Sequence, residues 1–272
     1  MSLVSVRDLV VRIGDRVIAS VPELDVAAGE CVAIVGESGS GKTTTLLSTL
    51  GLVHGADVSG RITVGGLDVL TASQARLREI RGSRAALVMQ SPQAALNPTM
   101  RLGTLMRRAL ARHGVKGADA RERAEEGVRA VLLDPGILRR YPHQVSGGQA
   151  QRFAIALALA LGAQVVLADE PTSALDVTVQ AEVVGVLRRL RDERGLAVLL
   201  VSHDLALVST IADRVVVMRD GAVVESGPAA EVFTRPRDSY TRELIAAVPA
   251  LPEAAPALPE AGPALPEAEE GA

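Results

Sequence analysis

Short apolar runs alternate along the chain with amphipathic segments, the pattern of strands followed by helices. Residues 2–13 are rich in β-branched side chains and partly alternate, and residues 25–35 continue this pattern after a loop. Continuous apolar runs at 165–168 and 196–201 are typical of strands buried on both faces of a parallel sheet. We therefore expect an α/β fold with a mainly parallel sheet, helices on both of its faces, and an antiparallel β subdomain at the N-terminus.

Helices and hairpins are predicted around these strands. Apolar residues at helical spacing predict the core helices, which lie at 149–161, 177–194 and 205–212. Paired glycines and an Asp-Gly step permit positive φ in tight turns, so hairpins are expected at 59–66 and 214–225. A further short strand is expected at 87–90, just before Ser91-Pro92.

The segment of about residues 91–148 differs from the rest of the chain in its residue pattern. Helical spacing at 102–113 and 120–133 is combined with many arginines and acids, as on solvated helix faces. We expect an α-helical subdomain inserted into a domain that spans residues 1–248. Residues 249–272 repeat Pro-Ala-Leu-Pro-Glu-Ala, with too many prolines for a helix, and are predicted to be an extended, acidic, disordered tail.

Composition narrows the classes of function. The net charge of −3 argues against a general nucleic-acid binder, so no nucleic-acid partner is expected. A single cysteine, Cys31, can form neither an internal disulfide nor a cysteine metal site, and a reducing compartment fits. No export signal is evident, and no apolar run is long enough to span a bilayer, so any membrane crossing is expected from another chain.

A glycine-rich loop follows the apolar strand at 31–35 and leads into a helix. It reads Gly36-Glu37-Ser38-Gly39-Ser40-Gly41-Lys42-Thr43, with Thr44 next. Small residues let successive N–H groups and a helix N-terminus point at one anion, which suits the phosphates of a nucleotide. Lys42 would reach the β- and γ-phosphates, and the Thr43 hydroxyl would ligate Mg²⁺.

Two further stretches carry polar groups suited to the same chemistry. Asp169 and Glu170 end a buried strand, at the sheet edge where α/β proteins bind ligands. Asp169 would hold Mg²⁺ through water and Glu170 would act as the general base on the attacking water, although the pair could instead cap the next segment. His203 also follows an apolar strand, where its imidazole could bond a γ-phosphate; alone, such a histidine is more often structural.

Ser146-Gly147-Gly148-Gln149 opens a helix and forms another nest of exposed amides. Alone it would be an ordinary helix cap. Because the chain already has one phosphate loop, this second one suggests that it serves a nucleotide held by a partner chain.

Taken together, these stretches resemble the ATP-binding cassette family, over residues 1 to about 248. The resemblance implies a P-loop NTPase (RecA-like) core whose subunits dimerise head to tail around two ATP molecules. Residues 36–43 are similar to the Walker A loop, 145–149 to the signature motif, 165–170 to the Walker B strand, and 173–176 to the D-loop. Gln90 is implied to be the Q-loop glutamine, catalytic and a ligand of Mg²⁺ with Thr43 and Asp169, and His203 the catalytic switch histidine beside Glu170.

Finer features resemble the subfamily that powers uptake of peptides and nickel, among them residues 93–98, 140–144, 168–176 and 239–244. This implies an ATPase at the cytoplasmic face of the membrane, in a homo- or heterodimer, with transmembrane permease subunits and, indirectly, an extracytoplasmic solute-binding protein. Asp238-Ser239 replaces the usual His-Pro of the last stretch.

Other positions also depart from the family pattern. Ile13 stands where an aromatic residue usually stacks on adenine, so we expect weaker ATP binding. Ala150 stands where a basic or polar residue is common, and Leu157 stands where arginine is usual. Two alternative functions remain at this stage: an ATPase of this family that works without a membrane, in translation or DNA repair, and a weakly active nucleotide-binding regulator. A small-molecule kinase is disfavoured because it would leave residues 146–149 without a role.

Overall fold

One continuous mixed sheet organises the computed structural model, which describes residues 2–173 and 175–248. Its strands are β1 (Ser2–Ile13), β2 (Arg16–Ala27), β3 (Cys31–Val35), β4 (Asp57–Val64), β5 (Leu67–Asp68), β6 (Ala85–Val88), β7 (Val165–Asp169), β8 (Ala197–Val201), β9 (Arg214–Arg219) and β10 (Ala222–Pro228). They lie in the order β5-β4-β1-β2-β10-β9-β3-β8-β7-β6.

The sheet has a parallel half and an antiparallel half. Strands β9, β3, β8, β7 and β6 are mutually parallel neighbours, whereas β1 pairs antiparallel with both β2 and β4. A single parallel pair, Ala222 with Ser20, joins the halves between β10 and β2. The expectation of an α/β fold with a parallel sheet and N-terminal antiparallel strands is thereby confirmed.

Helices flank the sheet. They are α1 (Lys42–Ser48), α2 (Gln74–Ile80), α3 (Pro92–Ala95), α4 (Leu102–Arg112), α5 (Gly117–Ala130), α6 (Gly147–Leu161), α7 (Val177–Arg194), α8 (Leu205–Ile211), α9 (Ala229–Thr234) and α10 (Ser239–Ala246), with short 3₁₀ helices at Pro135–Arg139 and Pro142–Gln144. In the described part of the chain, no helix is both long and apolar enough to cross a membrane.

Apolar side chains form one core on each face of the sheet. The alternation of β3 shows this division, because Cys31, Ala33 and Val35 lie in one core and Val32 and Ile34 in the other. The first core includes residues of α4 and α5 together with residues of α6, α7 and α8. The helices between residues 91 and 148 thus share a core with the sheet, and the subdomain boundaries remain a prediction.

The antiparallel half differs from the predicted pattern. Strand β2 begins at Arg16 rather than near residue 25, so only Gly14 and Asp15 separate it from β1. Pro22 argues against a strand in the sequence because proline has no N–H to donate to the hydrogen bonds of a sheet. Its missing N–H is tolerated, since β10 pairs with β2 only at Ser20.

Smaller differences lie at other predicted elements. The strand expected at 87–90 is β6, two residues earlier, and the turn of the hairpin expected at 59–66 lies at Gly65-Gly66, before the short β5. The sequence pattern predicts no helix at the positions of α2, α3, α9 and α10. The predicted tail, residues 249–272, lies outside the described residues, as do Met1 and Ala174.

Candidate active site

The glycine-rich loop runs from the end of β3 into α1, and two of its glycines are required by close backbone contacts. A Cβ added to Gly36, where φ is 144°, would lie 2.1 Å from the carbonyl oxygen of Met218. One added to Gly41, where φ is 94°, would lie 2.5 Å from the carbonyl oxygen of Ile18. The loop is therefore held tightly between β9 and the β1–β2 hairpin.

Lys42 lies inside this loop with only 5% of its surface exposed. Its Nζ donates hydrogen bonds to the carbonyl oxygens of Gly36 at 2.8 Å and Glu37 at 2.7 Å. Burial lowers the pKa of the Lys42 ammonium, and the nearby carboxylates of Glu170 and Asp169 oppose that shift. The cation is held by the loop backbone, where it faces the two acids at the end of β7.

Thr43 and Asp169 meet across the site. The exposed Thr43 Oγ1 donates a hydrogen bond of 2.9 Å to Asp169 Oδ1. Burial raises the pKa of the Asp169 carboxyl, and the hydrogen bond from Thr43 counteracts that shift. A hydroxyl and a carboxylate are oxygen donors of the kind that Mg²⁺ takes, which fits the sequence prediction. In the two described ranges, no cluster of three or more His, Cys, Asp or Glu side chains offers another metal site.

Glu170 follows Asp169 in a strained backbone conformation, with φ of 45°. Its N–H donates to the carbonyl oxygen of Val201 at 2.9 Å, which ties it to the end of β8. The half-buried Glu170 Oε1 lies 3.2 Å from Nδ1 of the exposed His203. The structure therefore brings these two residues together at the carboxyl edge of the parallel strands.

Gln90 is exposed just beyond β6 and contacts neither Thr43 nor Asp169 through the hydrogen bonds of the described residues. Its Nε2 donates to Ser173 Oγ at 2.7 Å, and Ser173 Oγ donates to the carbonyl oxygen of Glu170 at 3.2 Å. A single hydroxyl thus connects Gln90 to Glu170. The sequence analysis includes Ser173 in the stretch similar to the D-loop but does not predict this link between Gln90 and Glu170.

The predicted second nest forms the start of α6. Ser146 is the N-cap, with its Oγ accepting from the Gln149 N–H at 3.2 Å while Gln149 Oε1 accepts from the Ser146 N–H at 3.2 Å. Ser146 is exposed, Gly147 and Gln149 are half-buried, and Gly148 is buried. The exposed end of the helix can reach another molecule, whereas Gly148 faces the interior of its own chain.

The remaining predicted binding residues surround the loop. Ile13 is 53% exposed at the end of β1, in the hairpin whose Ile18 carbonyl approaches Gly41. Glu37, Ser38 and Gly39 are exposed, and Thr44 is half-buried. Ser40 is buried within the loop, and its Oγ has no hydrogen-bond partner among the described residues. An unpaired buried hydroxyl in a cradle of backbone amides fits an oxyanion such as a phosphate.

Comparison with known proteins identifies the class to which this fold and site belong. Residues 20–173, more than half of the chain, match the ABC transporter family. The chain belongs to this family, whose name denotes the ATP-binding cassette. It is therefore an ATP-binding ATPase that energises an ABC transporter.

Individual relatives agree with this assignment. The chain is 46% identical over 231 residues to a candidate peptide import ATP-binding protein of Brucella abortus (strain 2308), covering 83% of this chain and 69% of that protein. It is 42% identical over 261 residues to the peptidoglycan transport ATP-binding protein YejF of Agrobacterium fabrum (strain C58), covering 91% of this chain but only 47% of that longer protein.

Solved structures share the fold. The dimeric, ADP- and Pi-bound ATP-binding cassette MJ0796 is 28% identical with a TM-score of 0.72, covering 83% of this chain and 98% of that chain. The cassette cbiO1 from Clostridium perfringens, part of the transporter complex cbiONQ, is 25% identical with a TM-score of 0.77, covering 86% and 91%.

Proposed function

We propose that this ATPase drives peptide import, with residues 36–44 holding the phosphates of ATP and Ile13 packing on the base. The observation that carries the proposal is the meeting of five residues at one sheet edge, namely Lys42, the Thr43–Asp169 pair and the Glu170–His203 pair. The names of the Brucella relatives, which are at least 43% identical, support peptides as the cargo.

Each loop residue has a distinct task in this proposal. Backbone amides between Ser38 and Thr44 and the unpaired Ser40 hydroxyl bind phosphate oxygens, and Lys42 neutralises the β- and γ-phosphates. Thr43 and Asp169, with Gln90 from across the site, would hold Mg²⁺. Bound there, the ion would offset the negative charge of the phosphates.

Hydrolysis of the γ-phosphate is assigned to Glu170 and His203. The Glu170 carboxylate accepts a proton from the attacking water. His203, 3.2 Å from Glu170, hydrogen-bonds the γ-phosphate. Gln90 couples the site to the helical segment. Its side chain donates to Ser173 Oγ, which in turn donates to the carbonyl oxygen of Glu170.

A second subunit, identical or a close relative, completes each site. The exposed Ser146 end of α6, with Gly147 and Gln149, is assigned to the γ-phosphate held by Lys42 of the partner chain. The dimeric form of the related cassette MJ0796 supports this arrangement. Gly148, in the first turn of α6, is assigned to the same phosphate through its backbone N–H, while its Cα packs against Val179 of its own chain.

The transporter as a whole would include transmembrane permease subunits and, outside the membrane, a solute-binding protein. The helical segment between α3 and α6 is the proposed contact with the permeases, at the cytoplasmic face of the membrane. The relationship to cbiO1, part of a transporter complex, supports such a subunit role.

Mixing two defective variants tests the shared site. Lys42→Ala disables the loop and Ser146→Arg blocks the helix end, so each homodimer should be almost inactive. A mixed dimer pairs the intact loop of one chain with the intact helix end of the other. Random mixing should therefore restore about a quarter of the wild-type ATPase rate, because half of the dimers hold one complete site. A mixture no more active than its components would contradict the proposal.

Uptake measurements test the cargo. Cells that lack this chain should lose uptake of a labelled tripeptide and regain it with the wild-type chain but not with Glu170→Gln. Labelled Ni²⁺ serves as the comparison, and loss of nickel uptake with normal peptide uptake would reject peptides as the cargo.

A further inference from the structure

Helix α10, near the end of the described chain, touches the phosphate loop through one side chain. Tyr240 is buried, with 4% of its surface exposed, and its Oη accepts a hydrogen bond of 2.9 Å from the backbone N–H of Glu37. The two residues are separated by 203 positions in the sequence. This contact belongs to none of the roles assigned above.

The peptide group that Tyr240 holds is the one that also holds Lys42. The N–H of Glu37 and the carbonyl of Gly36 belong to a single peptide unit, and that carbonyl accepts the 2.8 Å hydrogen bond from Lys42 Nζ. A trans peptide is planar, and its N–H and C=O point in opposite directions. Tyr240 and Lys42 therefore hydrogen-bond to opposite sides of one planar peptide group.

Several contacts fix Tyr240 itself. The guanidinium of Arg219 lies over its ring, 4.8 Å from the centroid, and its own N–H donates to Asp238 Oδ1 at 2.8 Å. The segment before α10 is bound in turn by the Glu225 carboxylate, which accepts from the N–H groups of Arg237 at 2.9 Å and Asp238 at 3.1 Å. The tyrosine hydroxyl is thus a well-supported acceptor.

We propose that Tyr240 is a positioning residue for ATP binding: it fixes the Gly36–Glu37 peptide and, through it, the direction of the Lys42 ammonium. The proposal rests on the assignment of residues 36–44 to the phosphates. Tyr240 does not touch the nucleotide. It acts through the loop backbone, so its loss weakens nucleotide binding and leaves the groups around Glu170 in place.

Tyr240→Phe in the full chain tests this role, because phenylalanine keeps the ring under Arg219 and removes only the hydroxyl. We expect the KM for ATP to rise about fivefold, as for one lost hydrogen bond, while kcat stays within about twofold. Amide hydrogen exchange of the peptide 36–42 in the nucleotide-free protein should quicken about fivefold or more. The matched control is Tyr141→Phe, which removes the other tyrosine hydroxyl of the chain and should alter neither quantity.

The possible negative results distinguish the role of Tyr240 from the nucleotide site itself. A KM and loop exchange equal to wild type in Tyr240→Phe, with ATP binding abolished by Lys42→Ala, would overturn the role of Tyr240 alone. A lower kcat and a lower melting temperature with an unchanged KM would also overturn it, because they would mark a merely structural residue. Normal ATP binding by Lys42→Ala would reject the nucleotide site and this inference with it.

Discussion

The side chain of Val179 occupies the space that a side chain on Gly148 would need. A Cβ added to Gly148 would lie 2.1 Å from Val179 Cγ1, closer than real Cβ contacts allow. The contact joins the start of α6 to the first turn of α7 within one chain. The glycine at this position is therefore required by its own subunit, independently of any nucleotide held by a partner.

Gly148→Ala should lower the ATPase rate by roughly tenfold or more, because overpacking would displace the end of α6. The second substitution Val179→Ala removes the obstructing methyl groups, so the double variant should regain most of the activity. Steady-state ATPase assays on the purified variants measure both effects.

Gly185→Ala is the matched control for Gly148→Ala. Gly185 also lies in a helix, α7, but an added Cβ there meets nothing within 4 Å, so activity should be unchanged. A double variant as inactive as Gly148→Ala alone would show that the glycine is needed for something other than Val179.

Glu170→Gln should reduce kcat by about 100-fold or more, because an amide cannot accept the proton of the attacking water. ATP binding should persist, since Lys42 and the loop are unchanged, and ATP should then hold the dimer together. Size-exclusion chromatography with and without ATP, beside turnover assays, measures both outcomes. Glu122→Gln, at an exposed position of α5, is the control. Undiminished turnover in Glu170→Gln would remove this carboxylate from the mechanism.

Ile13→Tyr should tighten ATP binding by about fivefold, because an aromatic ring adds a stacking contact to a base that isoleucine packs against less well. Ile13 is 53% exposed, so the larger side chain fits without displacing the core. Equilibrium titration with a fluorescent ATP analogue measures the change. The control is Leu132→Tyr. Leu132 is another exposed aliphatic residue, with 62% of its surface accessible, and the same ring added there should have no effect. Equal affinity in Ile13→Tyr and wild type would place the base away from β1.

Low pH should weaken the hydrogen bonds by which the Glu225 carboxylate holds the segment before α10. Burial alone would raise the pKa of this carboxyl, but the N–H groups of Arg237 and Asp238 that donate to it outweigh burial and hold the pKa below its ordinary value of 4.5. A lowered pKa in the folded state stabilises the protein above the unfolded pKa, and this stability is lost as the pH falls through the lower folded value.

Urea denaturation of wild type and Glu225→Gln measures this contribution. Glu225→Gln should be less stable than wild type at pH 7, and the difference should shrink as the pH falls below about 4.5. Glu243→Gln, on the exposed side of α10, should follow the wild type at every pH. A difference between Glu225→Gln and wild type that does not depend on pH would indicate lost packing rather than lost charge.

Sequence patterns anticipate the parts of this molecule that depend on local order. The loop that carries Lys42 follows one parallel strand, and Asp169 and Glu170 lie at the carboxyl end of another. Their proximity could therefore be expected from the topology. The bond between Glu37 and Tyr240 could not, because no spacing rule links residues 203 positions apart. Neither could the contact of Gly148 with Val179, since the approach of two helices depends on the three-dimensional packing of their side chains.

The junction between the halves of the sheet has a mechanical consequence. Ala222 and Ser20 form the only backbone pair between β10 and β2 in the described chain, while Ile13 lies on one side of that junction and Lys42 on the other. The apolar core on one face of the sheet nevertheless spans both halves, since Val6 of β1 and Ile34 of β3 belong to it. A tilt of the β1–β2 hairpin would have to repack this core, so the two halves are expected to move as one body despite their single backbone pair.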